Sequence, residues 1–140
     1  MIQEKAQVII LGGGPGGYAA AFRAADLGLN VTLVEKRINP GGVCLYEGCI
    51  PSKALLHAAE LINESRHASE WGIDFGEPKI DLDKLRNWKG KIVKQLTGGL
   101  GQLSKARKVN YVQGTGTLQD ETHLKVITES GEEKLFEFEH

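Results

Sequence analysis

The chain has 140 residues, 41% hydrophobic and 25% charged, with a formal net charge of −1. Those values describe one ordinary globular domain with room for a core, and the even charge balance excludes electrostatic attraction to nucleic acid or an anionic membrane as an organising principle. The first apolar run, Val8 to Leu11, is too short for a signal-peptide core or a membrane span, so a cytoplasmic protein is expected.

In chain order, Gln7 to Leu11 reads as a buried strand entering the turn Gly12-Gly13-Gly14-Pro15-Gly16-Gly17. A helix over Tyr18 to Leu29 is predicted next, with Phe22, Ala25 and Leu29 at helical spacing and Gly28 and Asn30 closing it. Val31 to Val34 is a second apolar strand that ends at Glu35. Strand, glycine turn, helix and strand make a βαβ unit and imply parallel pairing. Arg37 to Gly42 reads as a loop, and Pro51 suits the start of a helix continuing over Ala54 to Glu64. A long helix is predicted from Leu82 to Lys105. Asp81 is its N-cap, Leu82, Leu85, Ile92, Leu96, Leu100 and Leu103 form its apolar stripe, and Gly98, Gly99 and Gly101 weaken it or mark close packing. From Lys108 the texture turns to strands, over Val109 to Val112, Gly116 to Leu118, Leu124 to Thr128 and Lys134 to Phe138, with turns at Asp120-Glu121 and Ser130-Gly131. The expected fold is α/β, over residues 1–140 as one domain: a Rossmann-like parallel sheet with an appended three-stranded antiparallel β-meander.

Two motifs carry chemistry. Gly12-x-Gly14-x-x-Gly17 matches the dinucleotide fingerprint, in which the glycines allow a tight turn, backbone approach to a pyrophosphate, and close helix–strand packing. The helix that follows offers N–H groups and a partial positive charge to phosphates. Glu35, eighteen residues past Gly17, is placed to accept hydrogen bonds from adenosine ribose hydroxyls and to repel a 2′-phosphate. The plainer alternative is a glycine-rich turn of an unrelated α/β protein. The second motif is the chain's only cysteine pair, Cys44 and Cys49. C-x4-C is too sparse for zinc, and no metal site is expected. In a reducing compartment such a pair is more often catalytic or redox-sensing than structural. Bringing the Cα atoms within about 7 Å requires a distorted turn, for which Gly48 supplies freedom, and Cys49 near a helix start and Lys53 has its thiolate favoured. The plainer alternative is two small buried residues. The fingerprint alone does not separate FAD from NAD; disulfide chemistry calls for a carrier that hands two electrons to sulfur, and a flavin does so.

Gly41-Gly42-Val43-Cys44-Leu45-Tyr46-Glu47-Gly48-Cys49-Ile50-Pro51-Ser52-Lys53, placed behind the glycine fingerprint, resembles the class I pyridine nucleotide–disulfide oxidoreductases. Within that family it is most similar to the dihydrolipoamide dehydrogenases. The likeness runs from about Gln7 to the last residue and includes Phe75-Gly76-Glu77-Pro78, Gln95-Leu96-Thr97-Gly98-Gly99-Leu100 and Gly114-Thr115-Gly116. The resemblance implies an FAD-binding domain in which Gly12, Gly14 and Gly17 hold the pyrophosphate and Glu35 the ribose. Pro15, Gly16, Lys36, Gly42 and Val43 are further cofactor contacts, and the Thr115 and Gly116 backbone touches the adenine. Cys44 is implied as the interchange thiol, Cys49 as the thiol lying against the flavin, and Lys53 as the cation that stabilises the reduced ring. Tyr46 departs from the asparagine of many relatives, at a position the sulfur chemistry does not need.

The implied reaction oxidises dihydrolipoamide, carried on the acyltransferase component of 2-oxo acid dehydrogenase complexes, with NAD+ as final acceptor in a homodimer. Family chains are several times longer, with an NAD-binding domain and an interface domain bearing a His–Glu acid–base pair. These 140 residues therefore read as an N-terminal portion with an incomplete FAD-binding domain, not expected to turn over alone. The alternatives are the corresponding portion of a mercuric or glutathione reductase, and a non-catalytic flavin-binding module. Ile50-Pro51-Ser52-Lys53 speaks against glutathione reductase, which tends to carry Pro-Lys-Lys, and no N-terminal metal-binding cysteine pair supports a mercuric reductase. His57 reads as a solvated helix residue rather than a base, Lys89, Lys91 and Lys94 as a polar helix face, and Trp71 and Trp88 as packing residues.

Overall fold

The computed structural model describes residues 2–140, and residues 2 and 3 by their backbone alone. The chain divides into two compact units, one built from the chain up to Gly42 together with Thr97–His140, the other from Val43–Leu96.

The first unit holds strands β1 (Ile2–Ala6), β2 (Val8–Leu11), β3 (Val31–Glu35), β4 (Asn110–Leu118), β5 (His123–Thr128) and β6 (Glu133–Phe138), in spatial order β1-β6-β5-β4-β3-β2. β2, β3 and the first half of β4 pair in parallel, with Val8 opposite Val31 and Thr32 opposite Asn110. β4, β5 and β6 pair antiparallel, with Gly116 opposite Val126 and Leu124 opposite Phe136. The parallel βαβ unit and the three-stranded meander are thus both present.

One expected break is absent. The strands expected over Val109–Val112 and Gly116–Leu118 merge into one, Asn110–Leu118, whose Asn110–Gln113 segment pairs with β3 and whose Gly114–Leu118 segment pairs with β5. Gly114 does not turn the chain. A Cβ there would lie 2.5 Å from the Ile127 carbonyl oxygen, so the glycine permits a close backbone approach. β1 was not legible as a strand. It runs parallel to β6 and is tied to it by Lys134 Nζ donating to Glu4 Oε1 at 2.8 Å and by a Lys5–Glu137 ion pair at 3.0 Å. Such a polar strand becomes evident only from its partner.

β3 is buried over Val31–Val34, as a parallel strand covered on both faces should be. Val31 and Leu33 pack with Ala21 and Val109 on one face, and Val34 joins Val112, Leu124, Val126 and Phe136 on the other. Each large side chain so buried contributes about 1.5–3 kcal/mol. Helix α1 (Pro15–Asp26) starts three residues before the expected Tyr18, because Pro15 fits the first turn, where its missing N–H costs nothing. It stops before Gly28, whose φ of +85° bends the chain toward β3.

The second unit contains α2 from Val43 onward (Gly42–Tyr46), α3 (Cys49–His67), a 3-10 turn (Ala68–Trp71) and the start of α4 (Leu82–Ala106). α3 exceeds its predicted span at both ends. Asp81 caps α4 as expected, with Oδ1 accepting from the Asp83 and Lys84 amides at 3.1 and 3.0 Å. The predicted stripe is partly covered, with Leu85, Ile92 and Leu100 half-buried and Leu82, Leu96 and Leu103 exposed, while the fully buried positions are Thr97 and Ser104. Gly101 stands between those two, where a Cβ would collide with the Asn39 side chain, so small residues let the helix end come close. Trp71, expected to pack, is 75% exposed and borders an open apolar pocket of about 570 Å³ with Leu61, Ile62, Ile73 and Phe75. Among the described residues no helix is long and apolar enough to cross a membrane.

Candidate functional site

β2 delivers the chain to Gly12, whose φ of +102° only glycine adopts readily. Its amide donates to the Val34 carbonyl at 2.8 Å, which pins the turn to the end of β3. A Cβ on Gly17 would run into the Gly12 carbonyl oxygen, so the third glycine of the fingerprint is required by the packing of α1 on its own entry loop. Gly42, with φ +58°, lies backbone to backbone with Gly14, and the Gly41 amide donates to the Gly13 carbonyl at 2.7 Å. No side chain caps the first turn of α1 and no acidic residue lies in it. Backbone N–H groups at a helix start, approached by glycines and with no acidic side chain in the first turn, form a donor set that fits a pyrophosphate.

Glu35 is half-buried at the end of β3. Its Oε2 accepts from the Gly13 amide at 2.6 Å and its Oε1 from the Arg37 amide at 3.1 Å. Beside it opens a cleft of about 290 Å³ bordered by Gly12, Glu35, Lys36, Gly114, Thr115 and Gly116, with Leu11 and Val34 in its walls. The structure therefore gathers Gly12, Glu35, Lys36, Thr115 and Gly116 around one cleft. Gly14, Pro15, Gly16 and Gly17 lie in the adjoining loop and first helical turn. A cleft with a carboxylate at its rim and glycine backbone along one side suits an adenosine.

Val43, Cys44, Cys49 and Lys53 belong to the second unit. α2 ends at Tyr46 and α3 begins at Cys49, so the two cysteines lie on separate helices rather than along one. Glu47 and Gly48 make the break. A Cβ on Gly48 would stand 3.1 Å from the Val43 carbonyl oxygen and 3.5 Å from Cys44 Cα, so glycine is what lets this turn close. Both cysteines are free thiols. Hydrogen bonding toward the Cys49 side chain, with burial and the charge of Cys49 adding to it, raises the Cys44 thiol above the ordinary cysteine value, while the Cys49 backbone and the Lys53 ammonium pull the other way. Lys53 and His57 are exposed on successive turns of α3. Two free thiols on either side of a glycine-hinged break have the chemistry of thiol–disulfide exchange.

Several participants had no motif to mark them. Gly13 occupies an unspecified position of the fingerprint, yet its amide makes the shortest of the carboxylate contacts at 2.6 Å. Tyr111 and Gln113 bond the backbone after β3 from residues more than seventy positions away. The only local hint was the unbroken run of three glycines before Pro15.

A glycine loop beside a cleft and a pair of free thiols five residues apart are the features expected of a dinucleotide-linked disulfide oxidoreductase class. The chain belongs to the pyridine nucleotide-disulphide oxidoreductase family, whose sequence profile matches residues 6–140. It is 55% identical over 127 residues to a dihydrolipoyl dehydrogenase of Vibrio cholerae, a match covering 91% of this chain and 27% of that protein. A dihydrolipoyl dehydrogenase of Haemophilus influenzae is 50% identical over 97% of this chain and 28% of its own length. A leghemoglobin reductase of Glycine max is 42% identical over 98% of this chain and 26% of its own. The chain thus spans little more than a quarter of the length of these relatives.

Proposed function

We propose that the chain binds FAD and carries the redox-active disulfide of a dihydrolipoyl dehydrogenase. The observation that carries this reading is the tight Gly48 turn that sets the free thiols Cys44 and Cys49 on either side of one helix break, in a chain whose glycine loop and Glu35 frame a cleft fit for a dinucleotide. The α1 amides and the Gly12–Gly17 loop would hold the pyrophosphate, Glu35 the adenosine ribose, and the cleft along Gly114–Gly116 the adenine.

In this reading the protein chemistry is thiol–disulfide exchange. A thiolate of dihydrolipoamide attacks the Cys44 sulfur of the Cys44–Cys49 disulfide, forming a mixed disulfide and releasing Cys49 as thiolate. The second substrate thiol, deprotonated, displaces Cys44 and leaves lipoamide as a cyclic disulfide. Two electrons have then passed from substrate to protein. The raised Cys44 thiol takes up a proton as it leaves, and Lys53 supplies a positive charge near the pair. FAD, when bound, supplies the two-electron acceptor for the protein dithiol. In the whole protein NAD+ is the proposed final acceptor, the acyltransferase component of a 2-oxo acid dehydrogenase complex the proposed partner, and a homodimer the proposed assembly. The 140 residues alone are not expected to sustain turnover, because no nicotinamide site or acid–base pair is assigned among them.

The test is a visible spectrum of the purified chain after incubation with FAD and desalting, followed by thiol counting after addition of dihydrolipoamide. A retained flavin band and two new protein thiols per chain are expected. A colourless protein would overturn FAD capture by these residues, and disulfides inert to dihydrolipoamide would overturn the exchange. Sustained lipoamide-dependent NADH production would overturn the claim that further segments are needed.

A further inference from the structure

Two side chains of β4 reach the loop that follows β3. Gln113 Nε2 donates to the Lys36 carbonyl at 3.1 Å, and Tyr111 Oη donates to the Arg37 carbonyl at 2.7 Å. The Lys36 carbonyl and the Arg37 amide belong to one peptide group, and that amide donates to Glu35 Oε1 at 3.1 Å. A trans peptide is planar, with its C=O and N–H pointing in opposite directions. Fixing the carbonyl on Gln113 therefore aims the N–H at Glu35, and Tyr111 fixes the next carbonyl along. With Gly13 holding Oε2 at 2.6 Å, the carboxylate is oriented at both oxygens before any ligand arrives. Two lone pairs are engaged, and Glu35 borders the cleft with acceptor capacity to spare.

We infer that Gln113, seconded by Tyr111, is a positioning residue that sets the Glu35 carboxylate for the ribose hydroxyls of an adenine nucleotide. This rests on the proposed reading of the cleft as an adenosine site. A mere staple between loop and sheet would make the same hydrogen bonds, but it would not act through the ribose hydroxyls. A positioning role would, since those hydroxyls are what Glu35 meets. Preorganisation of this kind raises affinity by sparing the ordering cost on binding.

The experiment measures binding of ADP and of 2′,3′-dideoxy-ADP to the full 140-residue chain, wild type, Gln113→Leu and Tyr111→Phe. Wild type is expected to prefer ADP. Gln113→Leu should weaken ADP binding about three- to tenfold, the scale of one net hydrogen bond, and leave the dideoxy analogue within about twofold. Tyr111→Phe, which keeps the ring, should show the same selective pattern at smaller size and serves if the leucine variant fails to fold. Equal losses for both ligands, no loss for ADP, or a wild type indifferent to the hydroxyls would overturn the inference while the cleft still binds nucleotide. A wild type that binds neither ligand would overturn the nucleotide reading and the inference with it.

Discussion

The backbone amide of Gly13 lies 2.6 Å from Oε2 of Glu35, joining the glycine loop after β2 to the end of β3 across 22 residues of chain. An amide donating to a carboxylate is a charge-assisted bond, stronger than a neutral one. A Cβ on Gly13 would stand 3.0 Å from Glu35 Cγ and 3.1 Å from its Cβ. Gly13→Ala should therefore push the carboxylate out of line and weaken FAD binding about tenfold, the worth of one charge-assisted hydrogen bond. Flavin fluorescence titration measures it, and an unchanged affinity would mean that the placement of Glu35 contributes nothing to capture.

Gly17 presents a harder constraint, because the atom its Cβ would meet is the backbone oxygen of Gly12 rather than a side chain that can turn aside. Gly17→Ala should cost about 1–3 kcal/mol of stability, the usual range for overpacking, and abolish flavin retention as the loop opens. Urea denaturation with the desalted spectrum reads both effects. A variant of wild-type stability that keeps its flavin would show that the turn relaxes freely.

The Cys44 thiol is raised chiefly by its hydrogen bond to Cys49. In the reduced chain, alkylation of Cys44 by iodoacetamide should reach half its limiting rate at a higher pH than that of an ordinary cysteine. Cys49→Ala should bring that midpoint down and speed alkylation at neutral pH. The linked stability has a definite sign. A group whose folded value lies above its unfolded one contributes stability below the unfolded value and loses it as pH rises through the folded value. The reduced chain should thus lose this contribution on the alkaline side. Mass spectrometry of the Cys44 peptide across pH decides it, a midpoint unaffected by Cys49→Ala counting against the thiol contact.

Phe136, on β6, is fully buried in a cluster with Val34, Val112, Leu124 and Val126. Phe136→Ala should cost about 3–5 kcal/mol, a large part of the roughly 5–15 kcal/mol that stabilises an ordinary domain. Trp71→Ala, at a residue 75% exposed, should change stability by less than about 0.5 kcal/mol. Chemical denaturation of the two variants side by side checks the contrast, and similar losses would contradict the assignment of the core.

The features read correctly from sequence are those whose cause is local. Apolar runs at Val8–Leu11 and Val31–Val34, separated by glycines and an alanine-rich helix, specify a βαβ unit because strand and helix periods and glycine conformations act over a few residues. Asp81 as a helix cap is likewise a matter of amides two and three positions away. The family likeness rested on a short run around Cys44 and Cys49, where residue identities follow from chemistry at one place in the chain.

What eluded sequence reading depends on residues far apart. β4 reads as two strands because its halves serve different partners, β3 in parallel and β5 antiparallel, and only the assembled sheet shows that one strand serves both. α4 presents leucines at helical spacing, yet its fully buried positions are Thr97 and Ser104, and at Gly101 between them the Asn39 side chain leaves no space for a Cβ. By itself the sequence determined the βαβ unit, the glycine loop, the place of Glu35 at the end of its strand and the cysteine pair, because each is encoded within a turn or a short element. The tertiary structure alone decided how Glu35 is held. Gly13 lies 22 residues before it, and Gln113 bonds Lys36 across 77 residues, so their hydrogen bonds exist only once the sheet has brought the strand ends together.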